Sequence, residues 1–348
     1  MIGSLAFGLI GAGGIAQSYL QVFSGLEVGH IAAVADVRLD AATSAAESVG
    51  CDAFGSWEAL AERPGLDAVL ICTPPSTHAE IATHFLVRGV AVLCEKPLAV
   101  DLATAQELAS LSEANGTMLT MASKFRYVQD VLQAKSILAS GILGDVILFE
   151  NVFASWAKMS NRWNSDPAIA GGGVLMDNGT HSVDILRYFL GPIDEVLAVE
   201  GKRVQNLAVE DTVQLFVRTE SGVRATVDLS WSLDKERDSY IEIYGSNGTV
   251  RVGWKESKYR QTTSPDWIVF GQGYDKVAAM RSQVENFCRA LRGAERLRIT
   301  LEDAMASVAV IEQAYRSLAL SGWIRVDDGT IVATGAESGS ESESESAR

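Results

Sequence analysis

The chain has 348 residues, 47% of them apolar, with 44 acidic against 29 basic side chains and a formal net charge of −15. That length favours two domains with real cores, and the charge argues against nucleic acid or an anionic membrane as partner, although part of it sits in the last residues. No stretch is long and apolar enough to span a bilayer, and the four cysteines (Cys51, Cys72, Cys94, Cys288) show no metal-ligand spacing; three of them lie in or beside apolar runs and read as small core residues, in a reducing, cytoplasmic compartment with no metal and no disulfide.

The apolar run Leu5–Ile10 reads as a strand that stops at Gly11-Ala12-Gly13-Gly14-Ile15-Ala16, after which helical character runs to Phe23. Strand, glycine turn and helix in that order form a G-x-G-x-x-A dinucleotide fingerprint. Gly11 makes the turn, Gly13 lets the backbone approach a pyrophosphate, and Ala16 lets helix and strand pack closely. Gly14 and Ile15 open the helix, whose unpaired N–H groups face the phosphates. The second strand, His30–Ala35, ends at Asp36, where an acid grips the adenosine ribose. Asp36 therefore favours NAD, while Arg38 offers a charge for the 2′-phosphate of NADP. A helix over Asp40–Val49, a short unit through Ser56–Ala61 and a strand over Asp67–Cys72 follow. The strand stops at Thr73-Pro74-Pro75-Ser76-Thr77-His78, because two prolines forbid continuation. A helix over Ala79–Arg88 leads to the strand Val90–Cys94, which delivers Glu95-Lys96-Pro97 at its carboxyl end; Asp101 caps the next helix, and Thr117–Met121 is a sixth strand. Alternating strands and helices predict a doubly wound parallel sheet over 1–123, with ligand outside the carboxyl ends of the strands.

From residue 124 the pattern changes. Val128–Ser140 reads as a helix, Asp145–Trp156 as a strand, and 157–173 as a polar connection holding Arg162 and Trp163. Val174–Leu190 reads as one helix, which places Asp177, His181 and Asp184 on a shared face, with the carboxylate one turn before His181 favouring its charged form. Gly171-Gly172-Gly173 would let the chain pass close to a ligand. Strands over Glu195–Glu200, Asp211–Thr219, Val223–Leu233, Tyr240–Tyr244 and Thr249–Val252, joined by hairpin-type turns, predict an open, mostly antiparallel sheet. Helices over Lys276–Arg292 and Leu301–Ser321 close this second unit, 124–333, and the Ser/Glu tail over 334–348 has nothing apolar to bury.

Taken together, Gly11-x-Gly13-x-x-Ala16, Glu95-Lys96-Pro97 and Gly171-Gly172-Gly173 leading to Asp177-x-x-x-His181 resemble the Gfo/Idh/MocA oxidoreductases, over nearly the whole chain to about Val326. The resemblance implies an N-terminal Rossmann domain and a C-terminal α/β domain whose open sheet serves as a homodimer or homotetramer interface. Substrate lies between them. It implies that Lys96 is a catalytic or substrate-orienting lysine partnered by Asp177 and His181, and that the Lys96–Pro97 bond is cis. Glu95, Thr73, Pro74, Pro75 and His78 then line the nicotinamide half of the cofactor, with Arg162 and Trp163 reaching cofactor or substrate. Lys124–Tyr127 departs from the Asn-x-x-Phe of many members, and places Arg126 and Tyr127 toward substrate.

The implied activity is hydride transfer between NAD, or NADP, and a secondary alcohol or ketone of a sugar, sugar derivative or inositol. Either Lys96 or His181 is the base, with Asp177 steadying the imidazolium. Arg126, Tyr127, Trp156, Arg162 and Asn178 suit a hydroxyl-rich ligand. Two other readings fit the resemblance: glycoside cleavage through transient oxidation by a retained NAD, and a non-catalytic NAD(P)-dependent sugar sensor.

Overall fold

The computed structural model describes residues 3–326; the Ser/Glu tail lies outside the described residues. Strands β1 (Leu5–Ile10), β2 (Gly29–Ala35), β3 (Asp52–Phe54), β4 (Ala68–Ile71), β5 (Ala91–Glu95) and β6 (Leu119–Ala122) form one parallel sheet in the order β3-β2-β1-β4-β5-β6. Their near-continuous apolar runs suit a sheet covered on both faces. Helices α1 (Gly14–Phe23) and α2 (Leu39–Val49) cover one face. On the other lie α3 (Trp57–Ala61), α4 (His78–Leu86) and α5 (Leu102–Asn115). Cys72, Cys94 and Cys288 are buried among these apolar side chains. The Asp101 carboxylate accepts from the Thr104 N–H at 2.8 Å, the cap expected of it.

After α6 (Gln129–Ala139), strand β7 (Val146–Ala154) enters a second sheet, and the chain passes through α7 (Pro167–Ala170) and α8 (Thr180–Leu190) to β8 (Ile193–Glu200), β9 (Thr212–Thr219), β10 (Arg224–Ser230), β11 (Ser239–Gly245), β12 (Gly248–Gly253), β13 (Ser257–Gln261) and β14 (Ile268–Gly271). Helices α9 (Lys276–Leu291) and α10 (Leu301–Leu320) and the two-residue β15 (Ile324–Arg325) follow. The sheet order is β14-β13-β12-β11-β7-β10-β9-β8-β15, antiparallel except where β10 runs parallel to β7. Inward positions such as Phe149, Leu215, Val217, Val227 and Ile243 are buried, in the alternation of a sheet with one face on a core.

Three differences from the sequence expectation matter. Strands β13, β14 and β15 differ from the expectation: Ser257-Lys258-Tyr259-Arg260-Gln261 is polar at nearly every position, although it pairs with both β12 and β14, and the other two are short. The helix expected over Val174–Leu190 opens into a π turn at Leu175–Gly179 before α8 begins. Finally, α9 does not close the second unit. Its Met280, Val284 and Phe287 pack with Phe7 and Phe23 against the first sheet, beside α1. Among the described residues no helix is long and apolar enough to cross a membrane.

Candidate active site

The β1–α1 turn is built for close approach of an anion. Gly11 has φ +92°, and a Cβ there would lie 2.8 Å from the Cys72 carbonyl carbon and oxygen, so strain and space both demand glycine. Gly13 is the N-cap of α1, with no side-chain cap and no acidic residue in the first turn, and open space lies around both Gly13 and Gly14. Ala16 is fully buried beneath. The Asp36 carboxylate ties the turn to β2, accepting from the Ala12 N–H at 2.8 Å and the Arg38 N–H at 2.8 Å. The Arg38 side chain is 67% exposed, its Nε 3.8 Å from that carboxylate. The free N–H groups, the vacant approach and the ribose-side acid fit a dinucleotide.

A cleft of about 750 Å³ opens where the carboxyl ends of β4, β5 and β6 meet the second sheet. From the first sheet it is lined by Ile15, Thr73, Pro75, Glu95, Lys96 and Lys124; across from them stand Arg162, Trp163, Asp177, Asn178, His181 and Tyr274. The Lys96–Pro97 bond is cis. Lys96 Nζ donates to the Asp177 carboxylate in a short ion pair and, at 3.0 Å, to the Asp177 carbonyl. Glu95 accepts from the Tyr19 hydroxyl at 2.8 Å. Thus two of the three ammonium hydrogens of Lys96 are held by Asp177, and one remains for a ligand oxygen.

The π turn redirects Asp177, so the expected Asp177–His181 pair is not made: the carboxylate goes to Lys96. His181 instead brings Nε2 to 3.1 Å from Lys124 Nζ, and its buried Nδ1 has no hydrogen-bond partner among the described residues. Burial, then the charges of Lys124 and Lys96, push the imidazole pKa well below its ordinary value. His181 is neutral, not the imidazolium expected from a carboxylate neighbour. Asp184 leaves the site altogether, accepting from Ser123 Oγ at 2.8 Å and lying 2.8 Å from Arg126 Nε.

The remaining expectations divide. His78 does not face the cleft. It is fully buried, with Nδ1 2.8 Å from the Pro97 carbonyl and Nε2 2.9 Å from the Thr73 carbonyl, so it braces the loops on either side of Lys96. Pro74 stands behind Pro75, before the short helical turn, and does not line the cleft. Arg126 is buried, paired with Asp184 and Asp303, and the Tyr127 hydroxyl donates to Asn286 at 3.0 Å; neither reaches the cleft, because the helical turn Lys124–Tyr127 points them into the core. Trp156 is 63% exposed and outside it. The three glycines also differ from expectation. A Cβ on Gly172 would meet the Tyr315 hydroxyl and one on Gly173 the Glu210 carbonyl, so protein packing, not a ligand, demands them. Lys124, Tyr274 and Lys276 line the cleft without having been singled out. Lys124 stands just past the end of β6, after Ser123, the one signal that marks it; Tyr274 sits in a loop after an unexpected strand and carries none.

A fingerprint turn feeding a cleft lined by Glu95, Lys96, Asp177 and His181 defines an NAD(P)-binding two-sheet oxidoreductase. The chain belongs to the Gfo/Idh/MocA oxidoreductase family. The model of the oxidoreductase family with an NAD-binding Rossmann fold matches residues 5–123, and that of the GFO/IDH/MocA C-terminal domain matches residues 131–251. An inositol 2-dehydrogenase of Rhizobium meliloti (strain 1021) is 25% identical over 338 residues, covering 91% of this chain and 97% of that protein. A D-xylose 1-dehydrogenase (NADP(+)) of Haloferax volcanii is 28% identical over 331 residues, covering 93% and 100%. Among solved structures, a levoglucosan dehydrogenase in complex with NADH superposes with a TM-score of 0.86 at 20% identity, over 93% of this chain and 99% of that one; at that identity the likeness shows the fold.

Proposed function

We propose that this protein is an NAD(P)-dependent dehydrogenase that interconverts a secondary alcohol and a ketone on a sugar, sugar derivative or inositol. One observation carries the reading: Lys96, clamped by Asp177, and neutral His181 line one cleft at the carboxyl edge of the parallel sheet, beside the glycine turn. The names of the relatives, an inositol and a xylose dehydrogenase, support the polyol substrate class. Residues 1–123 would hold the dinucleotide, with Gly11, Gly13 and Gly14 at the pyrophosphate, Asp36 and Arg38 at the adenosine ribose, and Ile15, Thr73, Pro75, Glu95 and Trp163 toward the nicotinamide. Residues 124–333 would supply the substrate side and the oligomer contacts. When bound, the nicotinamide supplies or accepts the hydride. The residues of the chain do the rest: Asp177 holds and aims Lys96, the Lys96 ammonium stabilises charge developing on the substrate oxygen, and Arg162, Asn178 and His181 orient the hydroxyl groups. Asp36 favours NAD, with NADP admitted through Arg38. We propose also a cytoplasmic homodimer or homotetramer.

The test is near-ultraviolet absorbance of reduced nicotinamide, with NAD and NADP separately, over sugars, sugar acids and inositols. Substrate-dependent reduction, lost in Lys96→Ala and His181→Ala, is the expected result. Intact protein that binds the cofactor and turns over no polyol would overturn the reading.

A further inference from the structure

Two of the lysines that line the cleft, Lys96 and Lys124, differ in their partners. Lys96 is committed to Asp177, donating to both its carboxylate and its carbonyl. Lys124 is partly buried, its Nζ 3.1 Å from His181 Nε2 and 5.1 Å from the centre of the Phe125 ring, and among the described residues no carboxylate pairs with it. We propose that Lys124, rather than Lys96, takes the hydroxyl proton of the substrate, with His181 Nε2 fixing the amine at the cleft wall. This rests on the dehydrogenase reading above.

Every charged group facing Lys124 enters the argument. Glu95 at the end of β5 and Asp177 on the π turn favour its ammonium form; Lys96 and Lys276 oppose it, and His181 on α8 is neutral. Burial outweighs all of these and brings the Lys124 pKa down to about 8. The amine is then free in useful amounts at neutral to mildly alkaline pH, where a general base works best. One N–H of the neutral amine donates to His181 Nε2, which places the ring proton on Nδ1 and leaves the Nζ lone pair for the substrate. In oxidation the substrate O–H bond breaks and its proton passes to that lone pair, giving the Lys124 ammonium. The C–H bond breaks, hydrogen and electron pair leaving for the nicotinamide, and the electron pair left on oxygen closes the carbonyl. Lys96, held by Asp177, stabilises that oxygen by donating a hydrogen bond to it. In reduction the Lys124 ammonium returns the proton.

The experiment compares wild type, Lys124→Arg and Lys124→Met with bound cofactor and a polyol that the wild type oxidises. Arg keeps the charge and a donor but cannot be a base. Wild-type kcat should rise with pH through the region near 8. Both variants should lose that limb and on the order of 10²–10⁴ in kcat, with KM changed only a few-fold. A second readout needs no turnover: the ring resonances of His181, one of only four histidines, followed against pH. Removing the neighbouring charge in Lys124→Met should raise the ring pKa by about one unit or more; Lys124→Arg should leave it low. Lys124→Arg with wild-type kcat and an unchanged limb would overturn the base role, and a His181 ring that titrates identically in Lys124→Met would overturn the pairing. A wild type that oxidises no polyol would instead bring down the functional reading, and the base role with it.

Discussion

Single side chains in this molecule are governed by what burial does to charge. His78 is fully enclosed and His181 nearly so, and burial is the leading cause of the lowered pKa of each. For His78 the two facing carbonyls oppose it; for His181 the neighbouring lysines reinforce it. The consequence for stability follows from linkage. Below about pH 6.5 a histidine in the unfolded chain takes up a proton, more readily than either of these two folded rings. The unfolded state then binds more protons, so stability falls as pH falls through that range, by at most about 1.4 kcal/mol per pH unit for each ring. Thermal melts from neutral to mildly acidic pH should show this loss, and His181→Gln should have a shallower slope; equal slopes would refute it. Asp36 acts at the same scale. It anchors Ala12 and Arg38, and at the proposed ribose site its charge would repel a 2′-phosphate. Asp36→Ser should therefore shift the NAD/NADP ratio of kcat/KM toward NADP by roughly tenfold or more, about 1.4 kcal/mol, through the exposed Arg38. An unchanged ratio would remove Asp36 from the ribose site.

Elements show why two glycine-rich turns that look alike in sequence do different work. At Gly13 the space beyond the backbone is empty, so Gly13→Ala should leave the melting temperature nearly unchanged and weaken NAD binding in a fluorescence titration. At Gly173 an added Cβ would sit 2.1 Å from the Glu210 carbonyl oxygen, part of backbone that cannot move cheaply. The Glu210 carboxylate also holds the N–H groups of Gly173, at 2.9 Å, and Leu175, at 3.1 Å, at the start of the π turn. Gly173→Ala should cost roughly 1–3 kcal/mol in urea unfolding and lower kcat by displacing Asp177, while NAD affinity holds. The reverse pattern would mean that these turns have been assigned the wrong way round. The contrast marks the reach of sequence reading. The unit from Leu5 to Asp36 is legible because each of its signals is local: an apolar run, a glycine turn, an acid at a strand end. The π turn is not, because its extra residue per turn comes from packing of Glu210 and Tyr315 against residues 172–175, which are distant in sequence. The same holds for Arg126, whose polar character suggested substrate until Asp184 and Asp303 claimed it.

The whole molecule is organised by where its second sheet finds cover. One face packs on α8 and α10. Across the other, register aligns Leu197, Phe216, Thr226, Glu150, Glu242 and Arg251 in a single row over β8, β9, β10, β7, β11 and β12. Only partly buried, Leu197, Phe216 and Leu148 form an apolar strip among charged neighbours, and a cavity of about 430 Å³ lies over it between Leu148, Phe216, Arg224 and Trp323. No helix of the described chain covers this strip, because α9, which sequence order would have placed on this unit, is spent on the first sheet. The apolar strip therefore favours a self-complementary contact between copies, the commonest way to close such a face. Sedimentation of the wild type should show a dimer or larger species, and Phe216→Glu, which places a charge at the centre of the strip, should shift it to monomer while NAD binding at the far sheet persists. A wild type that sediments as a monomer at every concentration would exclude the contact. A Phe216→Glu oligomer of unchanged mass would move it to another face.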